Sequence, residues 1–381
     1  MALLEINAAV FYTFFIGLLL VLAYGSRWRR YFELGMKLPG PTALPIIGNS
    51  LQFTSNDLCK LFQELKEFAS SYGPIARLWI GPVLLVALTD PDNIENVVKQ
   101  DTLLTRGYII RKLAEPVFRN GLLCIDGDKW RRHRKIVSAA LHINILERFV
   151  QNFATNSDIL ANNLKAIADG INAHDILPYL MRCSLDIIVQ TSSGTNQNAQ
   201  NGNDDTTLNS ITTIIDTTAI RAMKPWFYID WIFNASELGK KYNKAVKHCH
   251  ELIITGTKKM RMGKTTDNTD LHDEKPTLIE HLVQYADIGK EEIVGEIATI
   301  IGAATETTSN ACGCVLALLA EHQHIQERLM QEQQNIFGDD ILRPVRSDDL
   351  PRMVYLEQVG NCLLRPSLFS RTIAIFLHYI I

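Results

Sequence analysis

An acid and several hydroxyls interrupt an otherwise apolar run in the C-terminal half of the chain. The segment AATETTS occupies residues 303–309, inside a stretch, residues 293–320, that is apolar on nearly every helical face. Such polar groups are costly in apolar surroundings without partners. Threonine can bond back to the carbonyl four residues earlier and bend the helix. The spacing suits a proton-relay pair, Glu306 and Thr307, beside a ligand groove, and a polar patch satisfied within the core is the alternative.

A second candidate for chemistry is the basic run KWRRHRK at residues 129–135. Trp130 and Arg134 are four residues apart and therefore share one face of a helix. An indole N–H and a guanidinium on one face suit a bound carboxylate. The alternative is a solvated basic face, the usual location of such a run. If the clamp forms, the remaining cations make a surface that could steer an acidic protein partner.

The elements that must position these groups are mainly helical, with one small β-sheet, so the fold class is α+β. Two strand-like runs, residues 75–80 and 83–88, flank Gly81-Pro82 and predict a hairpin. Too few strand runs follow residue 90 for a doubly wound parallel sheet. Residues 192–207 are polar and predict a mobile surface loop. Helical patterns cover residues 55–72, 90–98, 128–140, 145–167, 177–191, 242–260 and 291–322, and a charged linker covers 264–276.

Composition excludes several classes of protein. The 381 residues are 47% hydrophobic and 21% charged, which excludes a disordered, collagenous or coiled-coil chain. Lys plus Arg number 38 against 41 Asp plus Glu, so no basic excess indicates a nucleic-acid partner. The seven cysteines follow no zinc or disulfide spacing, which predicts no structural metal site and a reducing compartment.

The N-terminus reads as a membrane anchor, residues 1–30, followed by a Pro-rich hinge, residues 31–54. Residues 8–24 carry no charge and span roughly 26 Å as a helix, close to the thickness of a thin bilayer. The basic flank at residues 27–30 places the N-terminus across the membrane and the body in the cytosol. A cleaved signal peptide is the alternative.

The whole order of segments resembles a microsomal cytochrome P450, specifically an insect-type member of family four. The matching pieces are the anchor, LPGPTALPIIGN, GDKWRRHRK, MRCSLDIIVQTSSG, AATETTS, HIQERLMQEQQNIFG and DDLPRMVYLEQV, in register to about residue 359. The resemblance implies a heme cofactor whose propionates Trp130 and Arg134 would bind. Ala303 and Ala304 would lie along it, in place of a Glu that can esterify heme and of a Gly. Glu306 and Thr307 would deliver protons to dioxygen.

The resemblance also implies partners and a location. The expected reaction is NADPH-reductase-dependent hydroxylation of lipophilic endogenous or xenobiotic substrates. NADPH–cytochrome reductase, cytochrome b5 and membrane lipid would be partners of a cytosol-facing body on the endoplasmic reticulum membrane. Residues 106–121 and 211–233 lie where substrate contacts fall in this family. Arg106 and Arg111 there could hold a carboxylate or be ordinary surface arginines.

Departures from the family pattern raise doubt about activity. The family's Cys thiolate ligand to iron, which favours O–O cleavage, is absent, because Cys312 and Cys314 lie on the wrong helix. Cys362 stands at an expected Glu. The domain at residues 55–365 would then be incomplete and residues 366–381 a divergent tail, from a splice form, a frame change or an annotation error.

These departures leave several expectations open for the chain as written. They are an inactive monooxygenase relative, a non-catalytic membrane-bound binder of apolar ligands, an unstable truncated product, and an unrelated membrane helical protein. The long apolar helix is expected to be covered on all sides in the family, so part of it would be exposed here. Residues 372–381 would form a strand or a short helix.

Overall fold

The computed structural model describes Gly25 and residues 29–44, 46–53, 55–100, 105–141, 149–193, 197–202, 205–263, 279–280, 282, 289–340, 343–364 and 375–378. The chain divides into two compact units. The first contains Met1–Leu103, Met223–Pro225 and Ala374–Ile381, and the second contains Leu104–Ala222 and Trp226–Ile373. The division into an anchor, a hinge, an incomplete domain at residues 55–365 and a tail at residues 366–381 stays a prediction.

The first unit is built around a three-stranded antiparallel sheet in the order β1-β2-β3. Its elements are a helical stretch over residues 29–36, a 3₁₀ turn at Ser50–Gln52, α1 (Leu58–Ser71), β1 (Ile75–Ile80), β2 (Val83–Leu88), α2 (Pro91–Val98) and β3 (Ile375–His378). Ile75 pairs with Leu88 and Ile80 with Val83 across the predicted hairpin. β3 extends the sheet on the other edge of β2, where Leu88 pairs with Ile375.

Local sequence explains the boundaries in this unit. Gly81 adopts a positive φ of 58° in the hairpin turn, a conformation that glycine reaches without steric cost. Asp90 caps α2 by accepting the backbone N–H of Asn93 at 3.1 Å, and Pro91 fills the first helical turn. Asp57 caps α1 in the same way, through the N–H of Cys59 at 2.9 Å. The hairpin and both helices were predicted from sequence and are confirmed.

The second unit is a helical body. Its helices are α3 (Tyr108–Phe118), α4 (Gly127–Ala140), α5 (Val150–Ile167), α6 (Leu177–Ser193), α7 (Asp205–Met223), α8 (Asp230–Ala235), α9 (Glu237–Gly263), α10 (Lys290–Glu321), α11 (Gln323–Phe337) and α12 (Val354–Leu364), with 3₁₀ turns at Ala199–Asn201, Pro225–Tyr228 and Ser347–Arg352. Helix α10 is the longest of them and packs against α6, α9, α3, α11 and α12. A buried cluster joins α4 to the start of α10 through Ile136, Val137, Ile279, Leu282, Ile293 and Ile297.

The mobile loop expected over residues 192–207 is wrong in part. Helix α6 continues to Ser193, and Ala199 and Gln200 form a buried 3₁₀ turn at 1% and 9% exposure. Both carboxylate oxygens of Asp186 on α6 accept the backbone N–H groups of this turn, at 2.8 and 3.0 Å. The composition of the segment is polar, but an acid thirteen residues upstream supplies its acceptors.

Several expectations fall on other parts of the chain. The anchor at residues 8–24 and the linker at residues 264–276 lie outside the described residues. Within the described ranges, none of the helices combines the length and apolarity that a membrane span requires. Residues 372–381 were expected to form a strand or a short helix. The strand is confirmed, since residues 375–378 are a strand.

Candidate functional site

Helix α10 carries the AATETTS segment, and the structure places its polar residues on different faces. Thr305 is fully buried and Glu306 is half-buried, whereas Ala303 and Thr307 are exposed and Ala304 is half-buried. Successive residues of a helix point about 100° apart. The two residues of the predicted relay are therefore neighbours in sequence that face different surroundings.

The hydroxyls of this segment bond within the helix, as the sequence predicts. Thr305 Oγ1 donates to the carbonyl of Ile301 at 2.8 Å, and Thr307 Oγ1 donates to that of Ala303 at 2.7 Å. Ser309 Oγ donates to the carbonyl of Thr305 at 2.6 Å. These three hydroxyls are satisfied locally, so they need no partner from another element.

Helix α4 carries the second candidate group. Trp130 is half-buried and Arg134 is exposed, one turn apart on the same helix. Neither side chain makes a hydrogen bond or ion pair with any residue that the structure describes. Their N–H groups are therefore available to an anion.

The basic run around them is not a uniform solvated face. Lys129 Nζ lies 2.6 Å from Glu292 Oε1 on α10, and Arg131 pairs with Asp128 at the surface. Arg132, Arg134 and Lys135 are exposed. One part of the run thus ties α4 to α10, and the other part remains a cationic surface.

His133, in the middle of this run, is completely buried and was not predicted as a site residue. Its Nδ1 donates to Glu296 Oε1 at 2.7 Å, and Glu296 is also fully buried. Its Nε2 has no hydrogen-bond partner and lies 3.9 Å from Glu292 Oε2. The other oxygen of Glu296 accepts the backbone N–H of Leu122 at 3.1 Å. The Glu296 carboxylate on α10 therefore binds both α4 and the segment that precedes α4.

A sequence signal for this pair existed. His133 shares a helical face with Ile136 and Val137, three and four residues later, which are both buried. Glu296 stands one residue before Ile297 in a run that is apolar all round. A histidine on an apolar face and an acid in a buried helix each require a partner, but their separation of 163 residues is not readable from spacing.

The backbone approaches α10 closely at the same place. A methyl group built on Gly295 would lie 2.5 Å from the carbonyl oxygen of Phe118 and 2.6 Å from the amide nitrogen of Gly121. These distances are shorter than atoms tolerate, so glycine is required at this contact. The chain between α3 and α4 therefore lies directly on the first turns of α10.

A cavity of about 200 Å³ lies beside the next turns of α10. Its walls come from the end of α3 and from α6, α7, α9 and α10, all within the second unit, and include Phe118, Leu185, Ile214, Ile253, Ile301 and Gly302. The lining is largely apolar, and Glu306 is the carboxyl group in it. Phe118 belongs to residues 106–121 and Ile214 to residues 211–233, the two segments proposed from sequence for substrate contacts.

The ionisable groups at the cavity have perturbed acidity. Burial raises the pKa of Glu306, and the nearby carboxyl of Asp216 on α7 raises it further. Burial also raises the pKa of Asp216. His250 on α9 has a lowered pKa because it is buried and lies beside Arg119, although its bond to the carbonyl of Val117 acts in the opposite direction.

His250 holds one wall of the cavity in place. Its Nε2 donates to the carbonyl of Val117 at 2.7 Å, and its Nδ1 lies 3.3 Å from the Arg119 guanidinium, which donates to it. Arg119 has a positive φ of 47°, a conformation uncommon for residues other than glycine. Surrounding contacts must hold such a residue, and His250 supplies one of them.

The two arginines suggested as carboxylate ligands are used in local contacts. Arg111 pairs with Asp126, and Arg106 donates to the carbonyl of Leu122 at 3.2 Å. Neither lines the cavity. Cys312 and Cys314 lie on α10, as expected. In the described part of the chain, no group of three or more histidine, cysteine and acidic side chains is arranged to hold a metal ion.

Comparison with known proteins identifies relatives over most of the chain. A family model described as cytochrome P450 matches residues 38–370. The chain is 29% identical to cytochrome P450 4d2 of Drosophila melanogaster over 372 residues, which cover 92% of the chain and 74% of that protein. It is 28% identical to cytochrome P450 4c21 of Blattella germanica, with coverage of 95% and 74%. It is 27% identical to cytochrome P450 4V2 of Mus musculus, with coverage of 93% and 70%.

Proposed function

The chain belongs to the cytochrome P450 family, with relatives in family four, and we propose that it oxidises lipophilic small molecules bound in the cavity beside α10. By family it is a cytochrome P450 monooxygenase, an oxidoreductase for which heme iron is the implied cofactor. The observation that carries the proposal is the apolar cavity itself, which borders the helix that bears Glu306. Apolar walls with few polar groups are typical of small-molecule sites.

The residues present on α4 and α10 fit a heme. Trp130 and Arg134 have unengaged N–H donors one turn apart, and these suit carboxylates such as the two propionates. Ala303 and Thr307 form an exposed stripe of small side chains on α10, and Ala304 adjoins it. Ala303 has no carboxyl group, so the heme would be held without an ester bond. When bound, heme supplies the activation of dioxygen for insertion of one oxygen atom into substrate.

The chain's own residues would manage protons and water. Glu306 has a raised pKa, so it can hold a proton nearer to neutral pH than an ordinary carboxyl group. Thr307 donates its hydroxyl hydrogen to the carbonyl oxygen of Ala303, so its oxygen lone pairs remain free to accept a hydrogen bond. The apolar walls around Ile214 and Ile301 exclude water from the substrate.

A second candidate function is binding without catalysis. In this family a cysteine in a Gly-rich loop supplies the thiolate ligand to iron, and the 381 residues contain no such loop. Cys312 and Cys314 belong to α10 itself, the helix that carries the proposed relay. Without a thiolate ligand to iron, the cavity would take up lipophilic molecules and oxidation would not follow.

The setting follows from the sequence and the family. We place the body on the cytosolic face of the endoplasmic reticulum membrane, with residues 8–24 as anchor. A flavoprotein NADPH–cytochrome reductase, and cytochrome b5, would dock on the cationic surface that retains Arg132 and Lys135.

Two measurements on the full chain test these proposals. The first is the absorption spectrum of the heme-loaded, reduced, carbon-monoxide-treated protein, in which a band typical of thiolate-ligated heme supports the monooxygenase. The second is saturable binding of a neutral lipophilic alcohol. Binding without the band supports the non-catalytic candidate, and a protease-labile chain that shows neither overturns both.

A further inference from the structure

The charged groups that line the cavity have one sign. Among the residues that the structure describes, the lining contains no lysine or arginine, and Glu306 is its carboxyl group. His250 also lines it, but both ring nitrogens are engaged, with Val117 and with Arg119. The charge that a guest would meet is therefore negative.

A second acid strengthens this bias. Asp216 follows Ile215, a lining residue of α7, and its carboxyl group is close enough to Glu306 to raise the pKa of that residue. Within the described chain, neither carboxyl group has a hydrogen bond or an ion pair. Two half-buried, unpaired acids close to each other are unfavourable in their charged forms, and a cation bound at Glu306 would relieve both burial and repulsion.

Three arginines of the helices that line the cavity, or directly after them, have other contacts. Arg119 contacts His250 and, at 4.0 Å, Glu291 at the start of α10. Arg111 pairs with Asp126, away from the cavity. Arg221, later on α7, pairs with Asp230 at 2.8 Å. None of these pairs involves Glu306 or Asp216, so the two acids keep their unpaired charge for a guest.

We propose that the cavity selects lipophilic molecules that carry a protonated amine, and that Glu306, supported by Asp216, binds the ammonium group. The apolar walls would hold the hydrocarbon body, and carboxylates of the same size would be rejected. The inference rests on the proposed function, since it assigns a substrate class to the same cavity. A charge-assisted hydrogen bond in a poorly hydrated site is stronger than its neutral equivalent, which gives the discrimination.

Isothermal titration of the full chain in lipid nanodiscs tests this assignment. Three ligands share one body and differ in one group: phenylbutylamine, phenylbutanol and phenylbutanoate, with empty nanodiscs as the reference for partitioning into lipid. At neutral pH, we expect the amine to bind about tenfold more tightly than the alcohol, and the carboxylate more weakly than the alcohol. Glu306→Gln should reduce amine affinity about tenfold, and Asp216→Asn should reduce it less.

Binding of the alcohol distinguishes a failure of the amine assignment from a failure of the proposed function. Glu321→Gln, at the exposed end of the same helix, removes the same charge far from the cavity and should leave all three affinities unchanged. The far-ultraviolet circular dichroism spectrum and the denaturation midpoint of Glu306→Gln, compared with those of the wild type, show whether this variant is folded. If the alcohol binds and the amine shows no advantage, or keeps it in Glu306→Gln, the amine assignment is wrong and the proposed function stands. If none of the three ligands binds saturably, the proposed function itself fails.

Discussion

The two halves of α10 satisfy their polar groups in opposite ways. In the first half, Glu292 and Glu296 are bonded to α4 and to the segment before it, and Ile293 and Ile297 are buried. In the second half, the hydroxyls bond to carbonyls of the same helix, and a stripe that includes Ala303 and Thr307 is exposed. The first half is thus a structural anchor, and the second half has a face free for ligands. Stability and function are separated along one helix.

The largest expected effect is on the anchor. Glu296→Ala leaves His133 and the N–H of Leu122 buried without their acceptor, so the free energy of unfolding should fall by about 3 kcal/mol. Chemical denaturation measures the change. The control Glu321→Ala, exposed at the other end of the helix, should alter it by less than about 0.5 kcal/mol. Equal losses of unfolding free energy in Glu296→Ala and Glu321→Ala would contradict the contrast between the two halves.

A smaller effect is expected from two matched glycine variants of α10. Gly295→Ala places a methyl group 2.5 Å from the carbonyl oxygen of Phe118 and should destabilise the fold by about 2 kcal/mol. Gly313→Ala meets its nearest neighbour, Leu180, at 3.5 Å. It should be neutral or stabilising by about 0.5 kcal/mol, because alanine favours a helix. The difference in denaturation midpoint between the two variants measures the contrast, and a destabilised Gly313→Ala would contradict it.

A pH dependence is expected at the cavity wall that His250 holds. The folded protein lowers the pKa of His250, so its neutral form is favoured in the fold. The stability linked to it is present above the ordinary value of about 6.5 and is lost as the pH falls below that value. Relative to His250→Gln, the wild type should lose about 1 kcal/mol of unfolding free energy between about pH 8 and about pH 5.5.

The exposed His324→Gln on α11 is the control for this titration and should show no such pH-dependent difference. A gap between the wild type and His250→Gln that stays constant with pH would mean that His250 does not titrate differently in the folded and unfolded states.

The smallest effect is expected on the free face. Thr307→Val removes one hydroxyl that bonds only within the helix and is exposed, so unfolding free energy should change by less than about 0.5 kcal/mol. A loss above about 1 kcal/mol would show that this face is covered, and would end the division of α10 into an anchor and a free half.

Sequence patterns predict those features that depend on local contacts. The hairpin around Gly81 and the back-bonded Thr307 follow from neighbours within four residues, and both are confirmed. The His133–Glu296 pair and the capture of Ala199 by Asp186 were missed. These contacts join separate elements. Local composition therefore predicts that His133 lies on a basic surface and that Ala199 lies in a polar loop, although both residues are buried. The roles of Trp130 and Arg134 toward heme remain predictions.

The pairing of β3 with β2 has a consequence for self-association. Residues 375–378 cover the backbone amides and carbonyls of Leu85–Leu88, which would otherwise form an open sheet edge. Open edges recruit strands from other molecules and promote aggregation. A chain shortened before Ile375 would move this edge from the four residues of β3 to the six residues of β2, and the longer edge should favour pairing with other copies and lower the solubility.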